Sequence, residues 1–132
     1  MEPYLDRDFY HIVSTEKTDA DTCCCRVVFH PEHPFFGAHF PGHPIVPGAC
    51  LVQMAASMAA SLLPQGTWHL QRIKSAKFLA LIDPTTTPTV SFTFHLAPAT
   101  PDNAPTPISC VVTQEGTTYA KMSICLTPEE PA

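Results

Sequence analysis

Charged residues are scarce in this chain of 132 residues, and basic ones most of all: seven Lys and Arg stand against twelve Asp and Glu. A protein that grips a nucleic-acid backbone usually presents a strongly basic face, so nucleic acid is not expected as a partner. A run of about 18 apolar residues, which a membrane-spanning helix needs, is missing as well. The first residues lack a basic stretch followed by an apolar one, which disfavours a secretion signal. We therefore expect a cytoplasmic protein without a membrane partner.

Spaced cysteine pairs of the kind that build a disulfide framework are also lacking. Three of the six cysteines are contiguous at 23–25, and the other three lie inside apolar segments. On a strand, Cys23 and Cys25 would face one way and Cys24 the other, which suits neither a chelate nor a set of paired thiols. We expect free thiols that pack as small apolar side chains.

The chain that is present is 45% hydrophobic, and its length suits one domain over residues 1–132. Residues 48–63 are almost continuously apolar, without an internal proline or charge, which predicts a helix buried on most sides. The segment 31–47 holds five prolines and is predicted to be a loop without a regular helix. Strand patterns occupy 9–17, 22–30, 68–79, 90–96, 108–114 and 117–127. The expected fold class is α+β, an antiparallel β-sheet wrapped around one long central α-helix.

The segment that leads into the predicted helix carries the candidate chemistry. His39 stands there among prolines, glycines and aromatic residues, shortly before Gly48 at the helix start. A helix start offers free backbone N–H groups and a partial positive charge, and a glycine lets a ligand oxygen approach closely. An imidazole beside such a donor suits acid–base chemistry next to a carbonyl group.

This segment resembles the 3-hydroxyacyl-[acyl-carrier-protein] dehydratases of the hotdog fold, the FabA/FabZ type. The matching residues, in order and spacing, are Phe35-Phe36, His39-Phe40-Pro41 and Pro44-Ile45-Val46-Pro47-Gly48, followed by the strand Arg72-Ile73-Lys74-Ser75-Ala76-Lys77-Phe78. The resemblance implies a hotdog fold and removal of water from a 3-hydroxyacyl thioester in fatty-acid or polyene/polyketide-type biosynthesis. It implies no cofactor beyond the phosphopantetheine of acyl carrier protein, which carries the substrate. It also implies a homodimer, or a heterodimer with a related hotdog subunit.

The resemblance assigns roles to individual residues. His39 matches the histidine that exchanges a proton at the α-carbon, and Gly48 matches the position whose backbone N–H holds the thioester carbonyl. The acidic residue that the other subunit supplies in this family is replaced by Gln53, which has no proton to give near pH 7. Gln53 is expected to orient the hydroxyl or a water molecule. The lining of the acyl and phosphopantetheine channel is expected from Phe36, Phe40, Pro41, Val46 and Pro47.

Two other functions stay open. Loss of the acidic residue fits a non-catalytic module that binds acyl thioesters or serves as the partner subunit of an active dehydratase. Thioester hydrolysis is the other alternative, although the chain has no Asp or Glu between Glu32 and Asp83 to activate a water molecule.

Two clusters of polar residues have alternative interpretations. Arg72, Lys74 and Lys77 favour either ordinary strand solvation or docking of an acidic acyl carrier protein. Strand alternation puts the first two on one face and Lys77 on the other, unless a bulge intervenes. Four histidines fall within fourteen residues, at 30, 33, 39 and 43, but the intervening prolines prevent helical ligand spacing, so no metal is expected.

Overall fold

The computed structural model describes residues 9–39, 42–64, 66–96 and 105–129, apart from the side chains of 37–39. Within these ranges the elements follow in the order β1 (Tyr10–Lys17), β2 (Thr22–Phe29), α1 (Pro34–His39), α2 (Gly48–Leu62), β3 (Trp68–Phe78), β4 (Thr89–Leu96), β5 (Thr106–Gln114) and β6 (Thr117–Pro128). The strands form one antiparallel sheet in the order β1-β2-β4-β5-β6-β3. The α+β class and the six predicted strands are confirmed.

Helix α2 is the long helix that the sequence predicts. Pro47 precedes its first residue and Pro64 lies just beyond its last turn, so prolines mark both ends. Eight of its 15 residues are buried. They pack against alternating side chains of β2, β4, β5 and β6 in one apolar core. Each fully buried Leu, Met or Val contributes about 1.5–3 kcal/mol, so packing rather than intrinsic propensity stabilises the helix. In the described part of the chain, neither helix has the length and hydropathy that crossing a membrane requires.

The cysteines behave as small apolar residues of the sheet. Cys23 and Cys25 are buried on the face that meets α2, whereas Cys24 on the other face is partly exposed. None of the six cysteines forms a disulfide. Burial raises the pKa of the Cys110 thiol well above its usual range, which keeps it protonated inside the core. The prediction that the cysteines pack as small apolar side chains and build no disulfide framework is confirmed.

The prediction that 31–47 lacks a regular helix is wrong, because α1 occupies Pro34–His39. Pro34 stands at the first helical position, where a missing N–H costs nothing. The next proline is Pro41, so six residues remain free of proline after the helix has begun. The density of prolines in the whole segment conceals this short interval.

Strand β3 lies at one edge of the sheet and departs from simple alternation. Its register against β6 shifts twice, once after residue 70 and once after residue 73. Arg72 therefore lies opposite Cys125, and Lys77 lies opposite Lys121. Because residues directly opposite each other share a face, Arg72 and Lys77 both point away from α2. The exception to simple alternation that the sequence analysis allowed, a bulge, therefore applies to this strand.

One surface of the chain leaves apolar groups uncovered, and we call it the open face. On α2 it comprises Ala49 and Ser57, which are exposed, with the half-buried Gln53 between them. On β3 it continues through Ile73 and Phe78, each 50% exposed. The open face therefore combines the edge strand β3 with the side of α2 that the sheet does not cover.

Candidate active site at the start of the long helix

The first turn of α2 has no side-chain cap from its own N-cap residue. Its N-cap residue, Pro47, is extended and makes no side-chain capping bond. The N–H groups of Cys50 and Leu51 both donate to the Pro47 carbonyl, at 3.0 and 3.2 Å. The N–H groups of Gly48 and Ala49 come before the first residue that has an intrahelical acceptor. The start of α2 therefore presents backbone donors and the positive end of the helix dipole.

The segment before Gly48 is held in place by its backbone. The Val46 N–H donates to the Ile82 carbonyl at 2.9 Å, and the Val46 side chain is 4% exposed. Ile82 is also buried, in the chain that follows β3. Pro47 is half-buried next to these residues. Two of the residues predicted to line the channel, Val46 and Pro47, thus lie directly beside the helix start.

Phe78, at the end of β3, covers the α-carbon of Gly48. A Cβ placed on residue 48 would lie 2.7 Å from carbons of the Phe78 ring, closer than packed atoms allow. An alanine at this position therefore requires the half-exposed ring of Phe78 to move aside. Sequence reasoning missed this residue as part of the site. The sequence did hold one indication of Phe78, because this residue ends the strand motif that matches the resembled family after the helix.

Helix α1 carries another of the predicted site residues. Its last residue is His39, whose side chain lies outside the described part of the structure. Phe36 is 2% exposed and stacks on Phe9, with ring centres 5.0 Å apart. Phe36 therefore anchors α1 in the core, and its predicted place in a channel wall stays a prediction. Phe40 and Pro41, predicted for the same wall, lie outside the described residues.

Gln53 lies in a separate cleft of about 220 Å³, between α2 and the first residues of β1 and β3. The polar groups around it include Tyr10, Ser57 and His69, and Trp68 adds an indole ring. Tyr10 and Ser57 are hydrogen-bonded, and burial raises the pKa of the Tyr10 hydroxyl, which keeps it protonated. This cleft contains amide, hydroxyl and imidazole groups on the open face.

Gly48 and Gln53 do not point to the same place in one chain. Five residues of an α-helix rotate the side-chain direction by roughly 140° and advance it by about 7.5 Å. In one chain, Gln53 therefore lies away from the helix start, which suits the arrangement that the resembled family implies, in which this residue acts from another subunit.

The histidines around α1 are engaged in separate contacts. The His11 and His30 rings meet with Nδ1 and Nε2 2.8 Å apart, whereas Nδ1 of His33 accepts the Phe35 N–H at 3.0 Å. His43 is exposed. Within the described ranges, no group of three or more His, Cys, Asp or Glu side chains is placed to hold a metal ion.

The basic residues predicted for carrier docking are all exposed on β3. Arg72 and Lys77 lie on the outer face, with Lys121 across from Lys77 on β6. Lys74 lies at the second shift in register. Four basic side chains thus lie on two adjacent strands at one edge of the sheet.

A long helix packed on one antiparallel sheet is the architecture of a hotdog-fold protein. The chain belongs to the ApeI-like family (ApeI dehydratase), whose model matches residues 15–101.

The chain is also similar to 3-hydroxyacyl-[acyl-carrier-protein] dehydratases named FabZ. The protein from Levilactobacillus brevis is 35% identical over 69 residues, which cover 48% of this chain and 45% of the relative. The protein from Wolbachia pipientis wMel is 37% identical over 59 residues, 40% of this chain and 41% of the relative. The chain thus spans less than half the length of these curated relatives.

Solved structures share the fold at low identity. The dehydratase heterocomplex ApeI:P from Xenorhabdus doucetiae matches with a TM-score of 0.63 and 19% identity, over 89% of this chain and 96% of that chain. Thioesterase HI1161 from Haemophilus influenzae matches with a TM-score of 0.60 and 17% identity, over 92% and 79%. The hotdog fold is confirmed by these likenesses.

Proposed function

We propose that this protein removes water from 3-hydroxyacyl thioesters carried on acyl carrier protein. The observation that carries the proposal is the start of α2, whose N-cap residue Pro47 gives no side-chain cap and which Val46 fixes through its bond to Ile82. A thioester carbonyl is a suitable acceptor for the N–H groups presented there. Membership of a dehydratase family supports this reaction over others that the same fold accommodates.

In the proposed reaction, His39 takes the proton from the α-carbon while the Gly48 N–H stabilises the negative charge that develops on the thioester oxygen. The α-carbon–hydrogen bond breaks, and its electron pair is held in an enolate whose charge lies on the thioester oxygen. This electron pair forms the double bond between the α- and β-carbons as the carbon–oxygen bond at the β-carbon breaks, and the electron pair of that bond leaves with the hydroxyl group. The proton held by the His39 imidazolium protonates this hydroxyl, so that water departs and the imidazole is regenerated.

Gln53 of a second subunit holds the departing hydroxyl in this scheme. Its amide donates and accepts hydrogen bonds but supplies no proton. One imidazole therefore moves the proton in both steps, and Gln53 contributes orientation. In the resembled family, by contrast, an acidic residue protonates the leaving hydroxyl group.

The second subunit is proposed to cover the open face. Ile73 and Phe78 are 50% exposed and Leu79 is 55% exposed, along an edge strand with unpaired backbone groups. Pairing of two such edges would bury these side chains and satisfy the strand. The subunit that covers this face is a second copy of this chain or a related hotdog protein. The likeness to the heterocomplex ApeI:P supports a related hotdog protein as well as a second copy. We propose that Arg72, Lys77 and Lys121 attract the acidic carrier protein on the outer face.

The test is incubation of the pure protein with a panel of 3-hydroxyacyl carrier proteins, followed by mass spectrometry of the acyl group. The proposal predicts loss of one water molecule from at least one member of the panel. Free thiol release instead of water loss would indicate a thioesterase. Binding of the carrier without either product would contradict the dehydratase proposal.

A second candidate function rests on Gln53 itself, because an amide replaces the acid. In that alternative, the chain is the non-catalytic partner of an active hotdog dehydratase. If the protein is itself a dehydratase, dehydration by the pure variant Gln53→Glu is expected to equal or exceed that of the wild type. A wild-type protein that is inert alone, and that raises the activity of a related dehydratase when mixed with it, would support the partner role.

A further inference from the structure

The first turn of α1 has its backbone donors accounted for one by one. Pro34 has no N–H, the Phe35 N–H donates to Nδ1 of His33, and the Phe36 N–H donates to the His33 carbonyl, both at 3.0 Å. The His33 N–H in turn donates to the carbonyl of His30 at 3.0 Å. His33 is therefore the N-cap of α1 through its side chain and its carbonyl.

The imidazole of His33 also packs into a cluster of aromatic side chains. His33 is 8% exposed, and its ring centre lies 5.4 Å from that of Phe9 in an edge-to-face arrangement. Phe9 is fully buried and contacts the two aromatic residues of α1 as well, Phe35 at 5.5 Å and Phe36 at 5.0 Å. The ring that caps α1 is thus held by the same residue that anchors the apolar face of α1.

Helix α1 has only six residues, far fewer than the roughly 12–15 that an isolated helix needs for even marginal stability. Its formation therefore depends on the cap and on the contacts with Phe9. The helix ends at His39. Whatever fixes α1 fixes the point from which the His39 side chain leaves the backbone.

We propose that His33 is a positioning residue for His39: by capping α1 and packing on Phe9, it holds in place the helix that ends at the proposed base. The inference rests on the role proposed for His39 in dehydration. His33 acts through α1 and does not touch the substrate. Because its Nδ1 accepts a hydrogen bond, the proton of the neutral ring lies on Nε2.

The test compares three variants of the full chain. His33→Ala removes the acceptor and the ring, whereas His33→Asn restores a short acceptor of the kind that caps helices best. His95→Ala, at an exposed position on β4, is the matched control for loss of a histidine. The measurements are hydrogen exchange of the α1 and α2 amides, the imidazole NMR signals of His39, and kcat and KM for dehydration.

We expect His33→Ala to speed amide exchange in α1 by roughly five- to tenfold, the usual consequence of a lost cap, while α2 keeps its protection. The His39 imidazole signals shift, and kcat falls by a similar factor with KM nearly unchanged. His33→Asn recovers most of the exchange protection and most of kcat. His95→Ala resembles the wild type in every measurement.

Unchanged exchange in α1, or unmoved His39 signals, in His33→Ala would overturn the inference. An increase in exchange spread evenly over α1, α2 and the sheet would also overturn it, because His33 would then be a general stability residue. If the wild type dehydrates no substrate, the proposed function fails. The exchange and NMR measurements still decide the role of His33 in that case.

Discussion

The two helices in the described part of the chain begin in opposite ways. Helix α1 closes its first turn with the imidazole and carbonyl of His33. Helix α2 follows an extended Pro47 that offers no side-chain cap. The N–H groups at the start of the shorter helix thus have acceptors in the residue that precedes it. The longer helix has the larger dipole and the more stable packing, but its N-cap residue offers no side-chain acceptor.

This difference indicates a division of labour between support and chemistry. A helix stabilised by eight buried residues tolerates an uncapped start, because its packing does not depend on the cap. A helix of six residues does not. In the proposed reaction, the N–H groups at the start of α2 bind the thioester carbonyl, and α1 carries His39.

The largest expected effect concerns the last residue of α1. Replacing His39 by Ala removes the proposed base, and acid–base catalysis is typically worth about 10²–10⁴-fold in rate. We expect dehydration to fall by that factor while the carrier protein still binds. Mass spectrometry of the acyl group measures the first quantity and a binding titration the second. Full activity in His39→Ala would contradict the role of His39 as the base, and α1 would then have no part in the reaction.

The next effect concerns the first residue of α2. Gly48→Ala places a Cβ against the ring of Phe78 and is expected to lower the free energy of unfolding by about 1–3 kcal/mol, the usual cost of overpacking. In the background Phe78→Ala the same substitution is expected to cost much less, because the ring is gone. Denaturant unfolding of the four proteins gives the coupling. An equal cost in both backgrounds would show that Phe78 does not set the need for glycine.

Coverage of the open face offers a third comparison, because one strip of α2 is left uncovered by its own sheet. Ile73→Asp puts a charge on the exposed edge β3, and we expect the dimer dissociation constant to rise at least tenfold, about 1.4 kcal/mol. Ile12→Asp is the matched control, since Ile12 is 42% exposed on the opposite edge strand. Sedimentation equilibrium measures both. Equal effects of the two variants would place the second subunit elsewhere.

The smallest expected effect is on the acid dependence of stability, and it concerns Asp83. This residue begins the turn after Ile82, whose carbonyl accepts the Val46 N–H just before α2. The Thr85 hydroxyl and N–H donate to the Asp83 carboxylate and hold its pKa below the usual range. Its contribution to stability is therefore present above the ordinary pKa of Asp and is lost as the pH falls through the lowered value. Thermal unfolding of Asp83→Asn should lack this part of the acid dependence. Identical acid profiles for the variant and the wild type would remove Asp83 from the support of this segment.

The sequence predicts the elements whose signals are long or strictly periodic. The apolar stretch that forms α2 is bounded by prolines, and the alternation of Val90, Phe92 and Phe94 marks β4 with its buried face. Such patterns arise because burial repeats with the geometry of the element itself. The position of the candidate site follows from the same stretch, since Gly48 begins α2.

Features that depend on contacts between distant residues could not be predicted in this way. Six residues give less than two turns, so α1 shows no periodicity, and its stability comes from Phe9 and His33. The shifts in register that bring Arg72 and Lys77 to one face of β3 depend on pairing with β6. The contact of Phe78 with Gly48 joins two elements that only the folded chain brings together.

The most direct test of the account is whether the Gly48 N–H and the His39 imidazole meet at one ligand. A pantetheine analogue in which a methylene replaces the thioester sulfur keeps the carbonyl and resists hydrolysis. Titrated into ¹⁵N-labelled protein, it is predicted to shift the Gly48 amide and the His39 imidazole signals most strongly, at the same half-saturation. Binding that leaves these two signals unmoved and perturbs others would contradict the account.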